Sequence, residues 1–194
     1  MNSTWISPLI EGVVSQLSDD EYWQSRIGFR QDSSRAYHLA VFTQPLFRFV
    51  LEGKKTVESR FSVTQCAPYS RIKKGDVVFV KESGGPVQAV AEVASVSFYR
   101  LDKGEFEVIK NRFGRSLCVD DDFWHAKAGC AYATLMYFSN LRTIKPVLCQ
   151  KRDRRGWVVL RNIGTKRELQ NCEDATVEFK RRGRQSPANL RFQF

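Results

Sequence analysis

Residues 53–60 read Gly-Lys-Lys-Thr-Val-Glu-Ser-Arg, and they mark the point at which a helical pattern gives way to a strand pattern. Residues 44–52 carry apolar side chains at helical spacing, and Gly53 supplies the permissive backbone with which helices commonly end. Residues 57–63 then alternate between apolar and polar side chains, which predicts a strand. The fold therefore has to place a helix and a strand next to each other, joined by a sharp turn.

Lys55, Glu58 and Arg60 place two cations and one carboxylate within six positions of this turn. On an extended segment Glu58 and Arg60 share one face, so both can point into one cleft. Charges at this density do not help to bury a core, but they suit a site that holds an anion or reads the polar edge of a heterocycle. A salt-bridge network that only closes the mouth of a barrel is the structural alternative, and the sequence leaves it open.

Further strand patterns alternate with a few helical ones along the chain. Strands are predicted at 38–42, 77–80, 87–99, 132–138, 140–148 and 156–160, and helices at 106–113 and 120–127. Several short strands with interposed helices predict an α+β fold, a small mixed β-barrel with flanking helices. We expect residues 1–36 to form a helical extension packed on the core, residues 37–163 the barrel domain, and residues 164–194 a basic C-terminal segment.

The composition is basic. The chain of 194 residues contains 31 Lys and Arg against 21 Asp and Glu, which gives a formal net charge of +10. This balance favours polyanionic partners, most often nucleic acid, over acidic small molecules. The alternative is a basic protein that binds no polyanion specifically, and the clustering of the charge distinguishes the two.

The cysteines bear on the compartment and on metal binding. Their number, five, is odd, and no two of them have Cys-x-x-Cys spacing. This pattern favours thiols in a reducing compartment and matches no standard zinc site, so we expect neither a metal nor a cofactor. We see no signal-peptide pattern and no run of about 18 apolar residues, so we expect a cytoplasmic protein without a membrane partner. The oligomeric state is not predicted.

Positive charge is concentrated between residues 141 and 161. The cations that we assign to nucleic-acid binding in this stretch are Arg142, Lys145, Lys151, Arg152, Arg154 and Arg155. Residues 151–155 are predicted to form a hairpin turn between two strands, and a loop this basic suits the tracking of a phosphate backbone. A solvated hairpin that only aids solubility is the alternative interpretation.

The motif Gly53-x-Lys55-x-x-Glu58-x-Arg60, followed by Gly75-Asp76 and a strand, resembles the ASCH domain of the PUA-like superfamily. The resemblance covers roughly residues 37–163. It implies a small β-barrel with a cleft lined by the motif, in a superfamily associated with RNA binding, recognition of modified bases and, in some members, hydrolysis. The residues that we assign to the cleft are Gly53, Lys55, Glu58, Arg60, Lys81 and Ser83.

One bacterial branch of this superfamily looks like a set of amidohydrolases that act on N4-acetylcytidine. In that branch, the lysine of the motif is paired with a threonine three residues later. Here that position is Glu58. The sequence therefore favours a nucleic-acid-binding module, for RNA rather than DNA, whose cleft holds a base, a nucleotide or a phosphate. The alternative is a hydrolase acting on RNA or on a modified nucleoside, with Lys55 and Glu58 as the catalytic pair.

Overall fold

The structure is a computed structural model that describes residues 4–27, 35–152 and 154–161. The helices are α1 (Ile6–Ser15), α2 (Glu21–Gln24), α3 (Leu46–Leu51), α4 (Lys103–Leu117) and α5 (Asp121–Lys127). The strands are β1 (Tyr37–Phe42), β2 (Val57–Ser62), β3 (Val77–Glu82), β4 (Val87–Arg100), β5 (Tyr132–Val147) and β6 (Trp157–Arg161). Across the described ranges, no helix is long and apolar enough to cross a membrane.

Within the described residues, six strands form one mixed sheet in the order β2-β5-β4-β3-β1-β6. The β1–β3 pair is parallel and the other pairs are antiparallel. Although β2 and β6 lie at opposite edges, Arg60 of β2 donates hydrogen bonds to the carbonyl oxygens of Val41 and Gly156, at 3.1 and 3.0 Å. The sheet therefore curls into a half-barrel, and the α+β class expected from the sequence is confirmed.

The inner face of the half-barrel, which carries Arg60, is filled by one apolar cluster. It contains the alternate residues of the central strands and is covered at one opening by Phe47 and Val50 of α3. A second cluster packs α4 and α5 on the outer face of β2 and β5, around Val57 and Ile109. The two-residue period of β2 thus sends Val57 outwards to the helices and Glu58 and Arg60 inwards.

The N-terminal helices cover another part of the outer face. Leu9, Val13 and Trp23 are buried in a cluster with residues of β1 and β3. Helix α1 approaches the sheet closely at Gly12, where a Cβ atom would lie 2.8 Å from a Val147 methyl group. The boundaries predicted at residues 36 and 163 stay a prediction, and residues 164–194 lie outside the described part of the chain.

Two predictions for the region after residue 131 are wrong. The strands predicted at 132–138 and 140–148 form one continuous strand, β5, in which Asn140 takes a left-handed conformation with φ 52°. Residues 151–155 do not form a hairpin turn, because β6 pairs with β1 and not with β5. The basic segment instead connects two strands that are far apart in the sheet order, and we call residues 148–156 the basic connection.

Candidate functional site

A cleft of about 190 Å³ opens on the inner face of the sheet. Its lining residues are Arg60, Phe61, Ser62, Cys66, Ala67, Pro68, Thr134, Gly156 and Trp157. The floor comes from β2 and β5, because Arg60 and Thr134 are directly paired across these strands. The loop after β2 forms one wall and the start of β6 forms the other. The cleft is smaller than the 300–1,000 Å³ typical of drug-sized ligands and suits a single small ring or one functional group.

Arg60 is the central side chain of the cleft. Its guanidinium lies between two aromatic rings, 5.3 Å from the centroid of Phe42 and 5.2 Å from that of Trp157. Its Nη atoms donate to the main-chain oxygens described above, and its Nε lies 2.7 Å from Glu58 Oε1 as an ion pair. The side chain is nevertheless 21% exposed. Arg60 thus closes the half-barrel and also presents part of its planar fork to the cleft.

Glu58 links Arg60 to Lys55 in a buried row of charges. Glu58 is 5% exposed and its Oε2 lies 3.5 Å from Lys55 Nζ, whose side chain is 2% exposed. Lys55 Nζ also donates a 2.8 Å hydrogen bond to Leu117 O, at the C-terminal end of α4. The negative end of the helix dipole favours a cation there. Neither Lys55 nor Glu58 lines the cleft, which they reach only through Arg60.

The ammonium of Lys55 is held at an energetic cost. Burial lowers the pKa of Lys55 below its ordinary value, and the nearby Glu58 carboxylate offsets this effect only in part. Cys118 ends α4 in a left-handed conformation, φ 54°, and its Sγ donates to Lys54 O at 3.4 Å. The turn that carries Lys55 is thereby attached to the end of α4, which keeps the amine next to Leu117 O.

A second buried polar network holds the opposite wall. The Nε1–H of Trp157 donates to His38 Nδ1 at 3.2 Å, and His38 Nε2 lies 3.3 Å from Asp76 Oδ2. Because an indole N–H can only donate, Nδ1 is the acceptor in this pair, which assigns the ring N–H to Nε2, facing Asp76. Asp76 also accepts from the backbone N–H groups of Ala36 and Lys73. The network fixes the indole plane of Trp157 beneath Arg60.

Within the described ranges, two buried polar atoms on the cleft floor lack a hydrogen-bond partner, Thr134 Oγ1 and Arg60 Nε, and of these only Arg60 Nε has an ion pair, with Glu58. Thr134 is 1% exposed. Buried hydroxyl groups in folded proteins are normally hydrogen-bonded, because leaving one unpaired costs free energy. The exception lies on the floor of the cleft beside Arg60.

An aromatic group borders the cleft on the same face. Phe98 of β4 pairs with Thr134 of β5, so both side chains project inwards. The ring of Tyr69 contacts Phe98 and Tyr132 edge-on, with centroid distances of 5.4 and 5.0 Å. Phe98 is 39% exposed, whereas Trp124 of α5 is buried in the cluster between the helices and the outer face of the sheet. Only the first of these two rings can offer a face to a ligand.

The basic connection leads directly into the cleft wall. Arg152, Arg154 and Arg155 are exposed and immediately precede Gly156 and Trp157. Lys151 is half-buried. Arg142 and Lys145 are exposed on β5, and Arg142 forms a 3.8 Å ion pair with Asp20 at the start of α2. The predicted phosphate-binding residues therefore divide into a group next to the cleft and a group on β5.

Besides Lys55 and Glu58, three more of the six assigned residues lie away from the cleft lining, so that Arg60 alone of the six lines it. Gly53 ends α3 with φ 70° and shapes the turn before Lys55. Lys81 is buried, and its ammonium donates to the main-chain oxygens of Glu82 and Gly85 in the β3–β4 turn. Burial lowers the pKa of Lys81, and the Cys149 side chain partly offsets the effect. Ser83 is exposed, and its backbone N–H donates to Phe42 O at 2.7 Å.

Sequence reasoning missed several cleft residues. Thr134 and Trp157 belong to segments predicted only as strands, and the sequence predicts no element or role for the loop residues 66–68. The signal for Thr134 is weak, because a lone threonine in a strand pattern is unremarkable. A polar His38 inside the apolar run of β1 was the available signal for the Trp157 network, since a buried histidine requires partners.

Comparison with known proteins identifies the fold. No family model and no curated protein matches the sequence. A mutant ASCH protein from Zymomonas mobilis matches with a TM-score of 0.52 and 15% identity, over 66% of this chain and 93% of that one. A second ASCH structure from the same organism matches with a TM-score of 0.46 and 16% identity, over 57% and 72% of the two chains. The match with the TM-score of 0.52 shows that this chain shares the fold of that ASCH structure, and the α+β half-barrel expected from the sequence is confirmed.

Proposed function

We propose that this chain is a nucleic-acid-binding module, with RNA favoured over DNA, whose cleft holds a base. The observation that carries the proposal is the continuity of the exposed cations 152, 154 and 155 with the cleft wall at Gly156 and Trp157. A nucleic-acid strand whose phosphates contact the basic connection would lie next to the cleft. The net charge of +10 and the ASCH fold agree with this assignment.

The two parts of the surface have separate tasks in this proposal. Phosphate contacts to the basic connection supply affinity that is independent of sequence and weakened by salt. Contacts in the cleft supply the selectivity, because Arg60 and Thr134 can read a polar edge. The cations on β5, Arg142 and Lys145, extend the phosphate-binding surface away from the cleft.

Affinity for single-stranded RNA and DNA, measured against salt concentration, tests the proposal. For single strands the slope of log K against log salt is about −0.7 for each phosphate neutralised. The Arg152→Ala/Arg154→Ala variant should therefore have a slope smaller by about 1.4. The control is Arg112→Ala/Arg115→Ala, which removes the same charge from exposed positions of α4 on the outer face. A salt-independent affinity, or equal effects of the two variants, would contradict the proposal.

A hydrolase that uses Lys55 and Glu58 is the second candidate. The observation in its favour is a lysine with a lowered pKa beside a carboxylate, an arrangement that can supply a base. Against it, both groups are buried, and Lys55 is engaged with Leu117 O. Incubation of the protein with RNA and with N4-acetylcytidine tests this candidate. Turnover that is lost in Lys55→Met, with strand binding retained, would establish the hydrolase.

A further inference from the structure

The starting point is the buried Thr134 hydroxyl, which is unpartnered within the described ranges. A valine would have the same shape without a polar atom, so the hydroxyl lowers the stability of the unliganded fold. The hydroxyl lies on the floor of the cleft, on the residue that pairs with Arg60 across the strands. Packing does not explain a hydroxyl at this position, whereas ligand binding does. A ligand in the cleft can supply the missing hydrogen bond.

Arg60 limits the chemistry of that ligand. Each of its Nη atoms donates one hydrogen bond to a carbonyl, which leaves one N–H on each nitrogen for a further acceptor. The Glu58 carboxylate lies 2.7 Å from Arg60 Nε and repels a second anion. The walls contributed by Pro68 and Trp157 are apolar. These features favour the neutral polar edge of a base over a phosphate group.

Phe98 provides a second contact point next to the cleft. It is cross-strand paired with Thr134, and such pairs have Cβ atoms about 5 Å apart. The ring is held edge-on by Tyr69 and is 39% exposed. A rigid, exposed aromatic ring is what single-strand-binding proteins use to stack bases.

We infer that the inner face binds two adjacent unpaired nucleotides, the base of one hydrogen-bonded to Arg60 and Thr134 and the next base stacked on Phe98. The inference rests on the proposed function and adds the substrate class, since a base within a duplex reaches neither residue. Stacking on Phe98 tolerates any base, so discrimination between bases comes from Thr134 and Arg60. The basic connection contributes the same affinity to every oligonucleotide, whatever its bases.

Binding of single-stranded oligonucleotides of uracil, cytosine or adenine, and of an abasic strand of equal length, tests the inference. Phe98→Ala should weaken binding of each base-containing strand about 5- to 150-fold without changing the salt slope. The control is Tyr137→Ala, a ring of similar exposure, 42%, on the outer face, which should change affinity less than about twofold. The abasic strand should bind all three proteins equally.

Thr134→Val provides a readout that a purely structural residue would not show. It should weaken binding of the preferred oligonucleotide about 2- to 12-fold, reduce the differences between bases, and leave the thermal midpoint unchanged or higher. The inference is overturned if Phe98→Ala binds the oligonucleotides as tightly as wild type does. It is also overturned if Thr134→Val weakens binding of the abasic strand as much as binding of the other strands. Neither result would contradict the proposed nucleic-acid-binding function. If wild type binds no strand, the proposed function fails and the inference fails with it.

Discussion

Replacing Glu58 by glutamine tests whether the buried charges hold the half-barrel together. The carboxylate is 5% exposed and compensates two cations, Lys55 at 3.5 Å and Arg60 at 2.7 Å. Glutamine has nearly the same shape but no charge. The Lys55 ammonium, 2% exposed, is then left with one carbonyl as its partner.

The expected loss follows from this burial. Removing one partner of a buried ion pair typically costs about 3–5 kcal/mol, because the other charge stays desolvated. At about 2–4 °C per kcal/mol for a chain of this size, the midpoint of Glu58→Gln should fall by roughly 6–20 °C. Lys55→Met should cost less, about 1–3 kcal/mol, since Glu58 keeps Arg60 and mainly Leu117 O loses its donor.

Urea unfolding at several pH values is the assay. Burial already lowers the pKa of Lys55, and loss of the Glu58 charge should lower it further. Because the folded-state pKa of Lys55 lies below its unfolded-state pKa, the loss of stability in Glu58→Gln is complete at pH values below the folded-state pKa. The loss becomes smaller as pH rises towards the unfolded-state pKa. The Lys55→Met/Glu58→Gln double variant should lack this alkaline recovery.

Two results would refute the reasoning. A loss below about 1 kcal/mol for Glu58→Gln would mean that the charges are solvated rather than buried. A larger loss for Lys55→Met than for Glu58→Gln would mean that Glu58 does not compensate both cations. Either result would favour an open site at the motif.

Three further changes test the surroundings of the cleft. A Cβ atom on Gly156 would lie 2.8 Å from Arg60 Nη1. Gly156→Ala should therefore displace the guanidinium, weaken nucleic-acid binding and lower the thermal unfolding midpoint. An unchanged midpoint would contradict this close approach. Trp157→Phe leaves buried His38 Nδ1 without its donor and should cost about 1–3 kcal/mol in urea unfolding, and a neutral effect would argue against that hydrogen bond. Although burial alone would raise the pKa of Glu92, hydrogen bonds from the N-terminal helical segment lower it. The stability that Glu92 contributes is therefore present above its unfolded pKa and lost as pH falls through the folded one, so Glu92→Gln should flatten the acid limb of the stability profile.

The sequence predicted the local elements around the motif well, for reasons that are themselves local. A glycine after a helical pattern ends α3, and a two-residue alternation sends Glu58 and Arg60 to one face of β2. The helical patterns at 106–113 and 120–127 likewise indicated α4 and α5, and the structure shows that Asp102 and Asp120 cap these helices by accepting hydrogen bonds from backbone N–H groups. The break expected near residue 139 was wrong, because Asn140 tolerates the left-handed conformation that keeps β5 continuous.

The candidate site could be predicted only in part. The sequence identified Arg60 as a cleft residue, and the structure places it there. It also grouped Lys55, Glu58 and Lys81 with Arg60, but burial separates these three side chains from the cleft lining. A run of charges shows that partners are needed, but it does not show whether a ligand or another side chain provides them.

The sequence by itself determined which face of β2 carries the charges, because strand periodicity is a property of consecutive residues. Only the tertiary structure decided what meets those charges. Pairing of β5 with β2 puts Thr134 beside Arg60, and pairing of β6 with β1 brings Gly156 and Trp157 to the other wall. These neighbours are 74 to 97 positions from Arg60 along the chain. Their proximity depends on strand order and register, which follow from burying the apolar faces of the whole sheet together.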